Sequence, residues 1–212
     1  MKSGKSSLAT LVLFLACVMG VPDAAEAKTQ AYKVDSVHSS IMFRVKHMDV
    51  SYFYGRFNQF EGTIDFDADD PTKIAIHIEI KTATVDTNNE NRNNHLKGPD
   101  FFNARQFPVI SFTSKSVKRV KDDIYELTGE MNLHGVKKEI TLTLEKTGEG
   151  ARRGKPIIGF ETVFTINRTD FGMDKLLQGV SDEVRLIIGL QAGQQDASAS
   201  KRPSSKKDAA VG

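Results

Sequence analysis

Apolar and polar positions alternate through most of this chain, and the alternation predicts strands. Over residues 38–66, Ile41, Phe43, Val45 and His47 fall on one side, with Met42, Arg44 and Lys46 on the other. That is the period of two of a half-buried strand. Gly55 and Phe57 repeat it, followed by Phe60, Gly62, Ile64 and Phe66. The step from odd to even positions between Phe57 and Phe60 predicts a bulge or sharp bend. Ile74, Ile76, Ile78 and Ile80 then alternate with Ala75, His77, Glu79 and Lys81. Further strands are predicted over residues 108–116, with Ile110 and Phe112 inward, and over 124–133. Leu133-His134-Gly135 forms a tight hairpin into Ile140, Leu142 and Leu144. Ile158, Phe160, Thr162, Phe164 and Ile166 make the next strand, and Val184, Leu186, Ile188 and Leu190 the last. The Gly-rich, basic stretch 146–156 reads as a loop, and 167–180 as irregular.

One helix interrupts this pattern. Thr87 and Glu90 have capping-box spacing, Gly98 suits a left-handed C-terminal position, and Pro99 blocks continuation. Arg92, His95 and Leu96 share a face of it, and the turn that follows presents Phe101 and Phe102. About eight strands with hairpin-length connections and one short helical insertion predict an all-β fold, an antiparallel barrel or sandwich. A barrel of about eight strands is just wide enough inside for packed side chains or one slim ligand. Which of the two fills it is the functional question.

The chain ends narrow the class. Lys2 and Lys5 precede an apolar run over residues 8–21, and Ala25-Glu26-Ala27 has the form of a cleavage site. The run falls short of the about 20 residues of a membrane span. Residues 1–27 therefore read as a cleaved export signal, which places the mature chain in the periplasm or outside the cell. The only cysteine, Cys17, lies within it; Phe14 stands where a lipoprotein signal carries Leu, which argues against lipidation. A mature chain without thiols excludes a disulfide framework, a thiolate nucleophile and Cys-ligated zinc. From Gly193 the composition turns polar and basic, predicting a disordered tail over 193–212 and one globular domain over 28–192. Lys201, Arg202, Lys206 and Lys207 allow at most peripheral contact with an anionic membrane surface. The formal charge of +2 comes from interspersed acids and bases, which gives no footprint for nucleic acid.

Several motifs together resemble a known family. They are Tyr32-Lys33-Val34-Asp35 with His38-Ser39, Phe43-x-Val45-x-His47, Gly55-x-Phe57, and Arg92-x-x-His95-Leu96. Phe101-Phe102, Phe107-Pro108-x-Ile110-x-Phe112-x-Ser114, Leu133-His134-Gly135-Val136 and residues 167–173 complete the set. The chain resembles the YceI-like proteins, the polyisoprenoid-binding family of exported bacterial proteins, over nearly all of residues 32–190. The resemblance implies an extended lipocalin-like barrel, often a homodimer, holding a long prenyl chain or similar lipid. Asn94 departs from the family, which more often has Asp beside the histidine, and so does the basic tail. True lipocalins usually carry a Trp in their first strand; this chain has no Trp.

The candidate chemistry is sparse. His38, His47, His77, His95 and His134 show neither a His-Glu-x-x-His pair nor helical spacing. Asp35, His38 and Ser39 form a triad in composition only, no Gly-x-Ser-x-Gly elbow is present, and the Asp-rich turn 65–71 lacks the Gly and Glu of a calcium loop. His77 reads as solvent-facing, and His134 as ordering its hairpin. No catalytic residue, metal or cofactor is therefore expected. The expected function is binding: Phe43, Val45, Phe57, Phe60, Ile110, Phe112, Phe160 and Phe164 line a bore for a long-chain isoprenoid, a prenyl quinone or prenyl phosphate. His47, Arg92, His95 and Arg168 stand at its polar mouth, since guanidinium forks suit phosphate. For Arg168 the structural alternative is a loop pin paired with Asp170 or Asp182. Fatty acid or fatty amide binding in the same barrel, a histidine- or metal-dependent hydrolase, and a protein-binding or inhibitory barrel with a packed interior are the competing readings.

Overall fold

The computed structural model describes residues 29–195. The signal segment, Cys17 and the basic cluster of the tail lie outside them. Eleven strands, one α-helix and three short 3-10 turns occur among the described residues; the strands and the helix are β1 Gln30–Val34, β2 Ser40–His47, β3 Ser51–Phe57, β4 Phe60–Phe66, β5 Ala75–Lys81, β6 Val85–Asp86, α1 Glu90–Lys97, β7 Val109–Lys121, β8 Ile124–Leu133, β9 Val136–Arg152, β10 Lys155–Asn167 and β11 Glu183–Gln194. Eight of these, in the order β1-β4-β5-β7-β8-β9-β10-β11, close on themselves through the β1–β11 pairing, and every pairing is antiparallel. The expected all-β barrel is therefore present.

The seam of the barrel forks. The far end of β11 (Ala192 to Gln194) pairs with β1, whereas Arg185 to Gly189 pair with β2. Strands β2, β3 and β6 thus continue the wall at one end as a flap, and α1 with the following coil stands between β6 and β7. The parity change seen in the sequence is the hinge of this arrangement. At Asn58 and Gln59 the chain leaves β3 for β4, and its backbone is met by the turn before β6: Asn58 N–H donates to Thr84 O at 3.1 Å, and Lys81 N–H to Gln59 O at 2.9 Å. These two main-chain hydrogen bonds hold the bend against the neighbouring turn. Ile41, Phe43 and Val45 face in, as the alternation predicts.

The two ends differ. At one, Tyr32, Ile64, Phe66, Tyr125, Ile158 and Phe160 are at most 4% exposed and fill the cross-section, with the Phe66 and Phe160 rings edge to face at 6.1 Å. The other end carries the β2–β3 turn, α1, the β8–β9 turn and the long β10–β11 connection. His134 and Gly135 both take positive φ, 55° and 77°, the two-residue turn suited to the twist of a hairpin. A Cβ at Gly135 would lie 2.4 Å from the Phe107 ring, so only glycine fits there.

Four local expectations are corrected. Residues 146–156 are not a loop: β9 runs to Arg152 and β10 starts at Lys155, around a turn in which Arg153 and Gly154 take positive φ. Cross-strand pairing carries Gly148 and Gly150 within the ribbon, despite their weak strand preference. The helix is capped by Asn89, whose Oδ1 accepts from Arg92 N–H at 2.9 Å; Thr87 serves the Arg92 side chain instead. Gly98 has φ −74°, an extended conformation rather than a left-handed one. Gly193 does not open the tail, because it pairs with Lys33 and Ile157 inside β11.

Candidate functional site

A cavity of about 370 Å³ occupies the barrel on the forked side, walled by residues of β2, β3, β5, α1, β7, β8, β9, β10 and β11. Its volume is in the range of small-molecule sites, about 300–1,000 Å³. The walls are hydrocarbon: Ile76, Ile78 and Ile80 from β5, Leu142 and Leu144 from β9, Leu186 and Ile188 from β11. Six of the eight residues expected to line a bore do so, namely Phe43, Val45, Phe57, Ile110, Phe112 and Phe164. Phe60 and Phe160 do not line this cavity; Phe160 belongs to the packed closed end, because the barrel is filled there and alternation alone cannot tell a plugged layer from a hollow one.

Two glycines keep the aromatic rings out of the lumen. A Cβ at Gly55 would come within 2.2 Å of the Phe43 ring, and one at Gly129 within 2.4 Å of the Phe112 ring. The far edge of each ring reaches over the glycine of the neighbouring strand, into space that a side chain there would take. Phe102, from the coil after α1, packs edge-on against Phe43 at 6.4 Å and Phe57 at 5.5 Å.

All four residues expected at the polar mouth border this one cavity, although they come from β2, α1 and the β10–β11 connection. His47 is exposed at the end of β2 and forms an isolated bridge with Val180. Arg92 Nε donates to Thr87 Oγ1 at 2.8 Å and Nη2 to Thr87 O at 2.7 Å, with the guanidinium 4.5 Å above the Phe53 ring. His95 is half exposed, 3.3 Å from Asp100 Oδ2 and edge-on to Phe101.

Arg168 is 3% exposed and acts mainly as a pin. It donates from Nε to Ser181 O at 3.0 Å, from Nη1 to Met173 O at 2.6 Å and from Nη2 to Val180 O at 3.0 Å. The expected pairing with Asp170 or Asp182 is replaced by these carbonyls. Asp182 instead accepts from Thr169 N–H and Oγ1, and Asp170 pairs with Lys138. Burial lowers the Arg168 pKa from its ordinary value, with Asp182 and Asp174 opposing the shift. An arginine nonetheless stays charged. Among the described residues, neither Arg92 nor Arg168 has a carboxylate within ion-pair distance. The mouth therefore presents two guanidinium groups without a paired carboxylate, with Asp174 and Asp182 near Arg168 and Asp100 beside His95.

The remaining polar liners add little charge. Thr162 Oγ1 donates to Thr143 O at 2.7 Å, turning its polar atom into the wall. Sequence reasoning missed Ser51, Phe53, Met173, Leu176 and Val180. Phe53 carried a signal in the alternation of β3, whereas the others sit in or beside turns that have no period. The other histidines lie elsewhere. His38 bonds Asp35 at 2.8 Å beyond the opposite end of β2, and His77 on β5 reaches Thr113 and Glu79. His134 Nδ1 meets Phe171 O at 3.0 Å, so it ties its hairpin to the β10–β11 connection as well as shaping the turn.

A closed antiparallel barrel, filled at one end and hollow with a guanidinium-bearing mouth at the other, defines a ligand-enclosing β-barrel. Residues 32–192 match the YceI-like domain family. The chain is 38% identical over 175 residues to Protein YceI of Escherichia coli O17:K52:H18, covering 81% of this chain and 91% of that protein. The chain belongs to the YceI-like family. Its fold is shared with Burkholderia cenocepacia BcnA (TM-score 0.69, 24% identity, 74% of this chain and 98% of that one). It is also shared with a polyisoprenoid-binding domain of Saccharophagus degradans (TM-score 0.61, 15% identity, 79% of this chain and all of that one).

Proposed function

We propose that this protein is a periplasmic carrier that holds one long-chain isoprenoid lipid in its bore, with the headgroup at the mouth formed by His47, Arg92, His95 and Arg168. The observation that carries this reading is the pairing of hydrocarbon walls with two guanidinium groups in a single cavity. Burying hydrocarbon gains about 0.8 kcal/mol per methylene relative to water. A lipid leaving a bilayer is already dry, so its tail transfers at little net cost, and selection falls to the head. Arg92 is already oriented by Thr87, and its Nη1 has no partner among the described residues. A group so placed favours an acidic head, which makes prenyl phosphate the better fit of the two isoprenoid classes. The family relationship supports export, and the Saccharophagus degradans domain is a precedent for an isoprenoid in this fold.

Native mass spectrometry of the protein taken from its own periplasm tests the proposal. One lipid per barrel is expected, identifiable after extraction. Arg92→Gln should weaken binding of a prenyl phosphate about tenfold or more, the scale of one charge-assisted hydrogen bond, and leave neutral prenol binding nearly unchanged. Fatty acid in the extract would replace the isoprenoid assignment, and ligand-free protein that takes up neither class would overturn it.

A further inference from the structure

The apolar wall of the bore continues onto the outer surface at the mouth. Leu176 lines the cavity and is also 56% exposed, and beside it stand Leu177 (46%), Met48 (59%) and Val50 (85%). Two segments bring them together. Met48 N–H donates to Gly179 O at 2.8 Å, Val180 N–H to Leu176 O at 2.9 Å, and His47 bridges Val180. A Cβ on Gly179 would lie 3.7 Å from Met48 Sδ. The β2–β3 tip and the β10–β11 connection thus form one rim.

Local folding preferences do not explain these residues. Met48 and Asp49, with φ 51° and 54°, form a tight hairpin turn closed by Val50 N–H to His47 O at 3.0 Å. That turn favours Asn, Asp or Gly. Leu176 also takes φ 56°. Among the described residues, Met48 and Leu176 are the only apolar side chains in the left-handed region; the others there, glycine aside, are Asp, Asn, His and Arg. Such positions cost conformational energy, and with Met48 59% and Leu176 56% exposed little burial offsets it. Departures from local preference of this kind mark functional surface. The charges on the two exposed tips that carry these apolar side chains offset one another, since Lys46 pairs with Asp49 at 3.6 Å and Asp174 adjoins Lys175; the guanidinium groups of Arg92 and Arg168 belong to the cavity lining instead. A partner chosen by charge finds little to select there, whereas an apolar medium does.

We propose that this rim seats on a lipid bilayer, so that hydrocarbon passes between membrane and bore without crossing water. The inference rests on reading the bore as a lipid site. Its physical basis is kinetic, because every methylene of a prenyl tail exposed to water adds to the barrier. A mouth held in water would leave the tail to meet that barrier in transit, and a mouth whose apolar rim is sunk in the bilayer removes it.

The chain has no tryptophan, so Val50→Trp installs a single reporter. Val37→Trp serves as control, on an 82% exposed residue in the turn beyond the opposite end of β2. With vesicles of phosphatidylethanolamine and phosphatidylglycerol, the emission of Val50→Trp should move to the blue and that of Val37→Trp should not. Adding Met48→Asp and Leu177→Asp, both exposed substitutions, should abolish the shift. The pair should also slow transfer of a fluorescent prenyl analogue to the vesicles tenfold or more, with its equilibrium binding in solution unchanged. Normal probe binding with no shift and unchanged transfer would overturn the rim proposal. A shift that appears without vesicles and grows with protein concentration would also overturn it, by making the rim a contact between two copies. Failure of the wild-type chain to bind the probe in solution would instead overturn the lipid-site reading.

Discussion

Arg168 illustrates how a residue chosen for its charge can be held by uncharged partners. Its donors go to three carbonyls of the β10–β11 connection, and burial works against its charge. The side chain therefore organises the loop that supplies Met173, Leu176 and Val180 to the cavity. Replacing it with Met keeps most of the volume and leaves three carbonyls without their donor. Arg168→Met should lower the unfolding free energy by about 3 kcal/mol, the scale of breaking a buried charged network, measurable by urea denaturation. The sequence placed Arg168 beside an irregular segment but gave no means of choosing carbonyls over carboxylates. That choice depends on how the loop closes, and loops carry no periodic signal. Arg92 was more legible, because its position on a short helix followed from cap and stop residues. Its Thr87 partner was visible only as a supposed cap.

Among the elements, β11 is the one on which the barrel turns, since its one edge serves both β1 and β2. The fork places Arg185 directly opposite Arg44 on the outer face. The Arg44 guanidinium stacks 3.9 Å over the Tyr52 ring, and its Nε has no hydrogen-bond partner. Like charges facing each other across a strand pair are destabilising. Arg185→Glu should therefore raise the melting temperature, by an amount equivalent to about 0.5–1 kcal/mol; a fall would show that the two arginines are kept apart by other neighbours. The strands themselves were legible because a wall with one wet face alternates strictly, as β2, β4, β5 and β8 do. The outer end of β9 was not, since residues 147–152 are exposed on both faces and carry no alternation. Short β1 showed itself only through its motif residues. Its pairing to both β4 and β11 depends on contacts far away in sequence.

The whole molecule divides into a filled half and a hollow half, and the sequence could not show where one gives way to the other. Phe43 and Phe160 look alike in pattern, yet one reaches its ring edge over Gly55 beside a lumen and the other packs on Phe66. The closed half also carries an acid-sensitive clasp. The hydrogen bond with the His38 side chain, helped by Val37 N–H and Arg152, holds the Asp35 carboxyl below the ordinary carboxylate range. Asn88 N–H and the Asn58 and Asn93 amides do the same for Asp86, and Lys137 does so for Glu130. Carboxyls depressed in the folded state add stability that is fully present above their unfolded values of about 4, and that is lost as pH falls through the lower folded values. The melting temperature should therefore hold between pH 5 and 7 (approximate bounds set by those values) and fall steeply below about pH 4. Asp35→Asn should lower it at neutral pH and make the acid slope shallower; an unchanged slope would remove Asp35 from the account.

The hollow half carries the central claim, and a crystal structure of the lipid-loaded protein tests it most directly. One continuous hydrocarbon density is expected between Phe43, Phe112 and Phe164, with its polar end at Arg92 and His47. Density lying outside the barrel, or a lumen closed by the protein's own side chains around no ligand at all, would contradict it.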